Sequence, residues 1–176
     1  RRSRGLGDVY KRQMEMAALE GHLLGENILW NWNGKIVEEE LRECEKKYDQ
    51  QMTHLFYMNP TFMSPDYKCL EPIFYKLQVT VLVRVKANLT FCTEKNILTG
   101  WHNDVPQEWG KEHKTKTAIY YVNDTDGYTM IRDDDGKETK VEGNKNRLVI
   151  FPSHYKHAGV TCTTPRKRVV VNINYL

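Results

Sequence analysis

The chain has 176 residues, 40% of them hydrophobic and 28% charged, which suits one domain with a real core and excludes a disordered or fibrous chain. Its formal charge of +3 is misleading, because residues 1–13 hold five Arg/Lys and one Asp, a net +4, and leave −1 for the rest. Without those residues, charge gives no argument for a polyanionic partner, and no apolar run is long enough to span a bilayer.

Residues 1–13 lack an apolar core and a periodic pattern, so they are not a secretory signal. They read as a non-native leader of the kind translated upstream of a true start, with Met14 as that start; a basic nucleic-acid arm is the rival reading. One domain is expected over 14–176. Cys44, Cys69, Cys92 and Cys162 are widely spaced with no CxxC pair, which speaks against a disulfide framework or a thiolate zinc site. Reduced thiols in a cytoplasmic protein are the expectation, or in a host-cell cytoplasm if the chain is phage-encoded. Asn88-Leu89-Thr90 and Asn123-Asp124-Thr125 match the glycosylation pattern and are read as chance.

Residues 14–34 are mixed. Gly21, Gly25 and Gly34 break up any long helix, Ile28 to Trp32 alternates enough for a short strand, and Asn33-Gly34 signals a turn. Residues 36–56 predict a helix with an acidic start, because Val37, Leu41, Cys44, Tyr48, Met52 and Leu55 recur at steps of three and four. Its role is to pack on a sheet, with Met52, Phe56 and Met58 as core or cover and His54 as a surface or packing residue.

Asn59-Pro60 and Ser64-Pro65-Asp66 mark a loop, and a second helix is expected from about Tyr67 to Leu77. Val79 to Lys86 then alternates cleanly, which predicts a strand with one buried face. Strand-like runs follow near 79–92, 99–104, 115–123, 127–132, 138–142, 146–152, 157–163 and 167–175, separated by turns such as Asp133 to Gly136 and Gly143 to Asn146. Helices first and strands after predict an α+β, mainly β domain whose strands form a sandwich or barrel.

His102 and Asp104 lie two apart after an apolar run, and in extended backbone such residues point to one side. Alone they read as a surface pair. His157, which opens a later strand-like run, supplies a third ligand type. Two histidines and one carboxylate on one face of a metal leave three positions open, an arrangement suited to non-haem Fe(II). His154 competes for the same role from the preceding turn, while His113 sits in a charged loop and is expected in solvent. The last strand splits into two faces: Val169, Val171, Ile173 and Tyr175 on one, Arg168, Val170, Asn172 and Asn174 on the other. Arg168 is either on a solvated edge or inside a barrel, where its guanidinium needs a carboxylate partner. Thr117, Ile119 and Tyr121 share a face of another strand and make an opposing wall.

The set His102-x-Asp104, Ala118 to Asn123, Asn146 to Phe151, His157 and Arg168 with its apolar strand resembles the 2-oxoglutarate and Fe(II)-dependent oxygenases, closest to the prolyl 4-hydroxylase-like branch and to its small stand-alone phage and bacterial members. Gly127-Tyr128-Thr129 and the stretch from Thr161 to Tyr175 add to the likeness, which covers about residues 79–176. The resemblance implies a double-stranded β-helix (a cupin-like jelly roll) with N-terminal helices backing one sheet and its core over about 79–176. It implies Fe(II) on His102, Asp104 and His157, with 2-oxoglutarate and O2 as co-substrates. The far carboxylate of 2-oxoglutarate would pair with Arg168 and Tyr121; Thr117, Asn172 and Asn174 would line the same pocket. Arg166 competes with Arg168, and Pro165 places Arg166 in the turn. Asn174 departs from the large aromatic residue some members carry there.

By the same resemblance, the reaction would be hydroxylation of a C–H bond with release of succinate and CO2, and peptidyl proline is the first substrate candidate. No catalytic residue beyond the metal ligands is implied. A peptide, a protein or a small molecule is the expected substrate, nucleic acid stays open, and oligomeric state is not read. Two rival readings stand beside this one: a zinc-type metal hydrolase, which leaves Arg168 and Tyr121 without a role, and a non-catalytic jelly-roll binding module.

Overall fold

The computed structural model describes residues 6–164 and 166–176, with side chains from residue 14 onward. The first five residues of the expected leader, and Pro165 with the turn argument built on it, lie outside the described residues. The helix α1 spans Leu6–Leu24 and is followed by β1 (Asn31–Asn33) and β2 (Gln51–Met58). Next come β3 (Thr61–Phe62), α2 (Glu71–Leu77), β4 (Leu82–Phe91), α3 (Gln107–Glu112) and β5 (Lys116–Tyr121). The chain ends with β6 (Tyr128–Arg132), β7 (Glu138–Glu142), β8 (Leu148–Pro152), β9 (Lys156–Gly159) and β10 (Lys167–Tyr175).

All pairings are antiparallel. The larger sheet runs β1-β2-β4-β10-β5-β8, with β3 on β2, and the smaller one runs β7-β6-β9. The result is the mainly β arrangement that the strand spacing predicts, jelly-roll-like as the resemblance implies. β10 lies in the middle of the larger sheet, between β4 and β5, so its polar face is not a solvated edge. Its two faces serve two cores. Val169, Val171, Ile173 and Tyr175 join Leu19 and Leu23 of α1, Phe56 of β2 and Ile73 of α2 in one buried cluster. Val170 joins Ile119, Tyr121, Ile131 and Phe151 in a second cluster between the sheets.

Several expectations fail locally. The helix α1 runs through Gly21, because Leu19 and Leu23 anchor one face while the Gly21 face is open; a glycine there weakens the helix by about 1 kcal/mol without ending it. The helix expected over 36–56 is two 3-10 turns, Glu39–Leu41 and Lys46–Tyr48, followed by β2. The buried Asp49 carboxylate accepts the backbone N–H groups of Ile36 (2.8 Å) and Val37 (3.3 Å) and lies 3.7 Å from Arg42, which offers this backbone a partner other than a helix. The run 99–104 is no strand; it touches its neighbours through single bridges, Arg42 to Gly100 and His102 to His157. Gly100 is required where Arg42 crosses, since a side chain would collide with the Leu41 carbonyl and Val37. The helix expected at 67–77, by contrast, is present: a 3-10 turn, Pro65–Leu70, capped by Ser64, leads into α2.

Candidate metal centre

His102 and His157 are tied through the backbone. The His102 N–H donates to the His157 carbonyl at 3.0 Å, and the His157 N–H donates back at 2.9 Å. Their rings lie with centroids 4.5 Å apart. Between His102 and Asp104, Asn103 turns the other way and donates its side-chain amide to the carbonyls of His154 (2.9 Å) and Tyr155 (3.0 Å). That contact holds the loop of Asp104 against the turn between β8 and β9. His154 itself bonds Asp134 at 3.2 Å and stands apart from the cluster, and His113 is exposed, as expected.

The ligand atoms of His102, Asp104 and His157 all lie within 4.8 Å of one another. The Asp104 side chain is 4% exposed and is held from three sides. Arg84 of β4 donates to Oδ1, while Asn172 (3.2 Å) and Asn174 (3.3 Å) of β10 donate to Oδ2. Burial alone would raise the Asp104 pKa; the positive groups around it outweigh that and hold it well below the usual carboxylate range. His157 is neutral at neutral pH, because burial, and then His102 beside it, push its pKa down to about 3. The persistent cation on Asp104 is therefore Arg84.

Both ring nitrogens of the buried His157 lack a hydrogen-bond partner among the described residues. An orphaned buried imidazole is costly unless something binds it. A divalent ion between these three residues removes that cost, and two imidazoles with one carboxylate form a donor set that such an ion prefers. The Gly100 carbonyl lies 3.2 Å from His102 Nδ1, the contact that fixes the tautomer of a ligating imidazole.

The triad opens on a partly enclosed cavity between the two sheets. Arg168 reaches it from β10 and is buried. One guanidinium nitrogen donates to the Thr129 hydroxyl at 2.9 Å, its Nε has no partner, and no carboxylate pairs with it among the described residues. The competing Arg166 is exposed. Tyr121 stands one layer back: its hydroxyl donates to Thr129 at 2.6 Å, so Thr129, not Tyr121, faces the cavity. Thr117 and Asn174 are likewise buried behind the wall and bonded to each other at 3.0 Å, while Asn172 lines the cavity. Of the residues expected to line one pocket, the structure thus places Arg168 and Asn172 on it and Tyr121, Thr117 and Asn174 in support.

Four contributors escaped the sequence reading: Arg84, Lys86, Asn103 and Thr129. The first two left a signal in the alternation of Val79 to Lys86, whose polar face looked like a solvated one. Asn103 left none, and Thr129 entered only within the Gly127-Tyr128-Thr129 likeness, with no role assigned to it.

The sequence profile of the 2OG-Fe(II) oxygenase superfamily matches residues 89–176, which is half of the chain and includes all three residues of the triad and Arg168. Among solved structures, an oxidoreductase of the 2OG-Fe(II) oxygenase family from Burkholderia pseudomallei is similar with a TM-score of 0.62 at 8% identity, covering 94% of this chain and 79% of its own. A prolyl hydroxylase from Trichoplax adhaerens, in complex with a hypoxia inducible factor oxygen degradation domain peptide fragment, gives 0.59 at 14% identity, with 94% and 78% covered. A Pseudomonas putida prolyl-4-hydroxylase gives 0.56 at 16% identity, with 93% and 87% covered. At these identities the likeness is one of fold. No curated protein matches the chain in sequence. Among the described residues no helix is long and apolar enough to cross a membrane.

Proposed function

The chain belongs to the 2OG-Fe(II) oxygenase superfamily, and from that premise we propose that it is a 2-oxoglutarate-dependent hydroxylase of C–H bonds whose iron is held by His102, Asp104 and His157. The two sheets are read as a double-stranded β-helix with α1 and α2 backing the larger one. One observation carries the reading. A buried guanidinium without a carboxylate, Arg168, shares a cavity with a buried imidazole without a partner, His157. A dicarboxylate that also ligates a metal answers both deficits at once.

In this reading Arg168 and the Thr129 hydroxyl hold the far carboxylate of 2-oxoglutarate, and Tyr121 orients Thr129. Asn172 and Asn174 fix the Asp104 carboxylate, and Arg84 keeps it ionised. The buried walls Ile119, Val160 and Val170 keep bulk water from the reacting atoms. When bound, iron supplies the activation of O2. The balanced reaction is R–H plus O2 plus 2-oxoglutarate to R–OH plus succinate plus CO2, and it asks no side chain to act as a general base. A zinc-type hydrolase leaves Arg168 without a role.

Peptidyl proline is the first substrate to try, because two of the similar structures are prolyl hydroxylases and one of them holds a peptide. The wide spacing of the four cysteines, without a CxxC pair, supports a reducing compartment such as the cytoplasm. The test is succinate formation from 2-oxoglutarate by the Fe(II)-loaded protein, screened for stimulation by proline-containing peptides, amino acids and nucleotides. Turnover in the native protein and none in Asp104→Ala is expected. Equal turnover in both would overturn the proposal.

A further inference from the structure

The larger sheet presents a second cation to the cavity. β4 alternates, with Val85, Ala87 and Leu89 in the core on one face and Arg84, Lys86, Asn88 and Thr90 on the other. In register, Thr90 stands beside Arg168, Asn88 beside Val170, Lys86 beside Asn172 and Arg84 beside Asn174. The floor of the site is thus two adjacent rows. Arg168 marks one end and Lys86 lies four residues along, a distance of about 13 Å in extended chain.

Arg84 is spent on Asp104. Lys86 is not spent in that way: it lines the cavity, is half-buried, makes no ion pair or hydrogen bond among the described residues, and feels Asp104 only at longer range. Burial disfavours its charge, so leaving it alone is costly. Two residues on, the buried Asn88 Oδ1 also lacks a partner on the same wall, as does Asn172 Oδ1 beside Lys86.

Charge accounting points the same way. Around the loaded site, iron and 2-oxoglutarate cancel each other, and Asp104 offsets one of the three cations Arg84, Lys86 and Arg168. Two positive charges remain in a site shielded from water, where charge is felt strongly. 2-Oxoglutarate on Arg168 occupies one end of the floor. Lys86 stands one strand to the side of that anchor, between Arg168 and the Arg84–Asn174 end of the floor that holds Asp104.

We propose that Lys86 is a specificity-determining residue that binds a carboxylate of the substrate, so that the preferred substrate is an anionic, carboxylate-bearing molecule or residue, with an N–H or O–H of the same group donated to Asn88. This rests on the oxygenase reading above and narrows its substrate class. The lysine carries the selectivity for charge, and the orphaned amide oxygens carry the selectivity for a neighbouring donor.

The experiment uses the full chain loaded with redox-silent Zn(II) and 2-oxoglutarate, titrated with propanoate and with its neutral isostere propanamide, and followed by amide NMR. Propanoate should shift the signals of Lys86 and Asn88 saturably, and propanamide should bind about tenfold more weakly or worse. Lys86→Met should lose the propanoate response, Lys86→Arg should keep it, and both should bind 2-oxoglutarate as the native protein does. Equal binding of the two probes, or propanoate binding that survives in Lys86→Met, overturns the proposal. A loss of 2-oxoglutarate affinity in Lys86→Met also overturns it, by assigning the lysine to the co-substrate. Failure of the native protein to take up Zn(II) and 2-oxoglutarate overturns the oxygenase reading itself, whereas intact loading without charge selectivity sinks only the claim for Lys86.

Discussion

His102 and His157 exchange both of their backbone hydrogen bonds, although they lie far apart in the chain and neighbouring residues of the His102 segment form no strand. The main chain therefore brings the two imidazoles to one place. Asn103 adds the third fixed point by gripping the carbonyls before His157. A site built this way is preorganised, and ligand binding spends little on ordering it.

Arg168→Ala should weaken 2-oxoglutarate by about ten- to a hundredfold, since it removes charge-assisted hydrogen bonds in a buried site, while iron affinity changes little. Arg166→Ala, at an exposed position, should leave both unchanged. Calorimetric titration of each variant checks this, and the reverse pattern would move the anchor to Arg166.

Gly127 lies against the stem of Arg168. A methyl group there would sit 2.9 Å from Arg168 Cδ, 2.9 Å from the Val160 carbonyl oxygen and 3.0 Å from the Cys162 backbone nitrogen. Gly127→Ala should destabilise the fold by about 1–3 kcal/mol and weaken 2-oxoglutarate along with it. Thermal unfolding and the same titration read both effects; an unchanged Tm and affinity would show that Arg168 is not held this tightly.

Asp126 ties the approach to β6 to the turn before β10. Its carboxylate accepts the N–H groups of Thr163 (2.8 Å) and Thr164 (2.9 Å) and the Thr163 hydroxyl. Its slight burial would raise its pKa, and these hydrogen bonds reverse that and bring it down to about 2. A depressed carboxylate stabilises the fold above its unfolded pKa, so this contribution should be complete at neutral pH and fade as pH falls from about 4 towards about 2. Asp126→Ala should cost about 1 kcal/mol at pH 7, solvent screening included, and clearly less at pH 2. Tm measured at both pH values tests the sign.

The cysteines should differ in reactivity. Burial pushes the Cys69 thiol up to about 12 and raises Cys44 and Cys162 as well, whereas Cys92 is exposed. Brief iodoacetamide treatment of the folded protein should label Cys92 first and Cys69 last. Mass spectrometry of the peptides decides; early labelling of Cys69 would place it at the surface.

Much of the site was legible because strand periodicity survives into structure. The two faces of β10 were separable by alternation alone, and they do serve different cores. What alternation could not supply was the partner of a polar face. Arg84 and Lys86 read as solvated until the smaller sheet, and the loop carrying Asp104, were seen to cover that side of β4. The helix expected at 36–56 failed for a related reason: a stripe at steps of three and four also occurs by chance in a segment that turns twice and then enters a sheet. Asp49, which stabilises that turning backbone, is thirteen residues from its partner Ile36. Tyr121 was expected on the cavity and is one hydroxyl away from it, because Thr129 from the facing sheet intervenes. Cross-sheet neighbours of that kind leave no mark in a single sequence.

The central claim is that His102, Asp104 and His157 hold iron while Arg168 holds 2-oxoglutarate beside it. Anaerobic addition of Fe(II) and 2-oxoglutarate to the native protein, watched by visible absorption, tests it most directly. A charge-transfer band that needs both additions is predicted, and it should vanish in His157→Ala. A native protein that gives no band, or a His157→Ala protein that keeps it, would contradict the account.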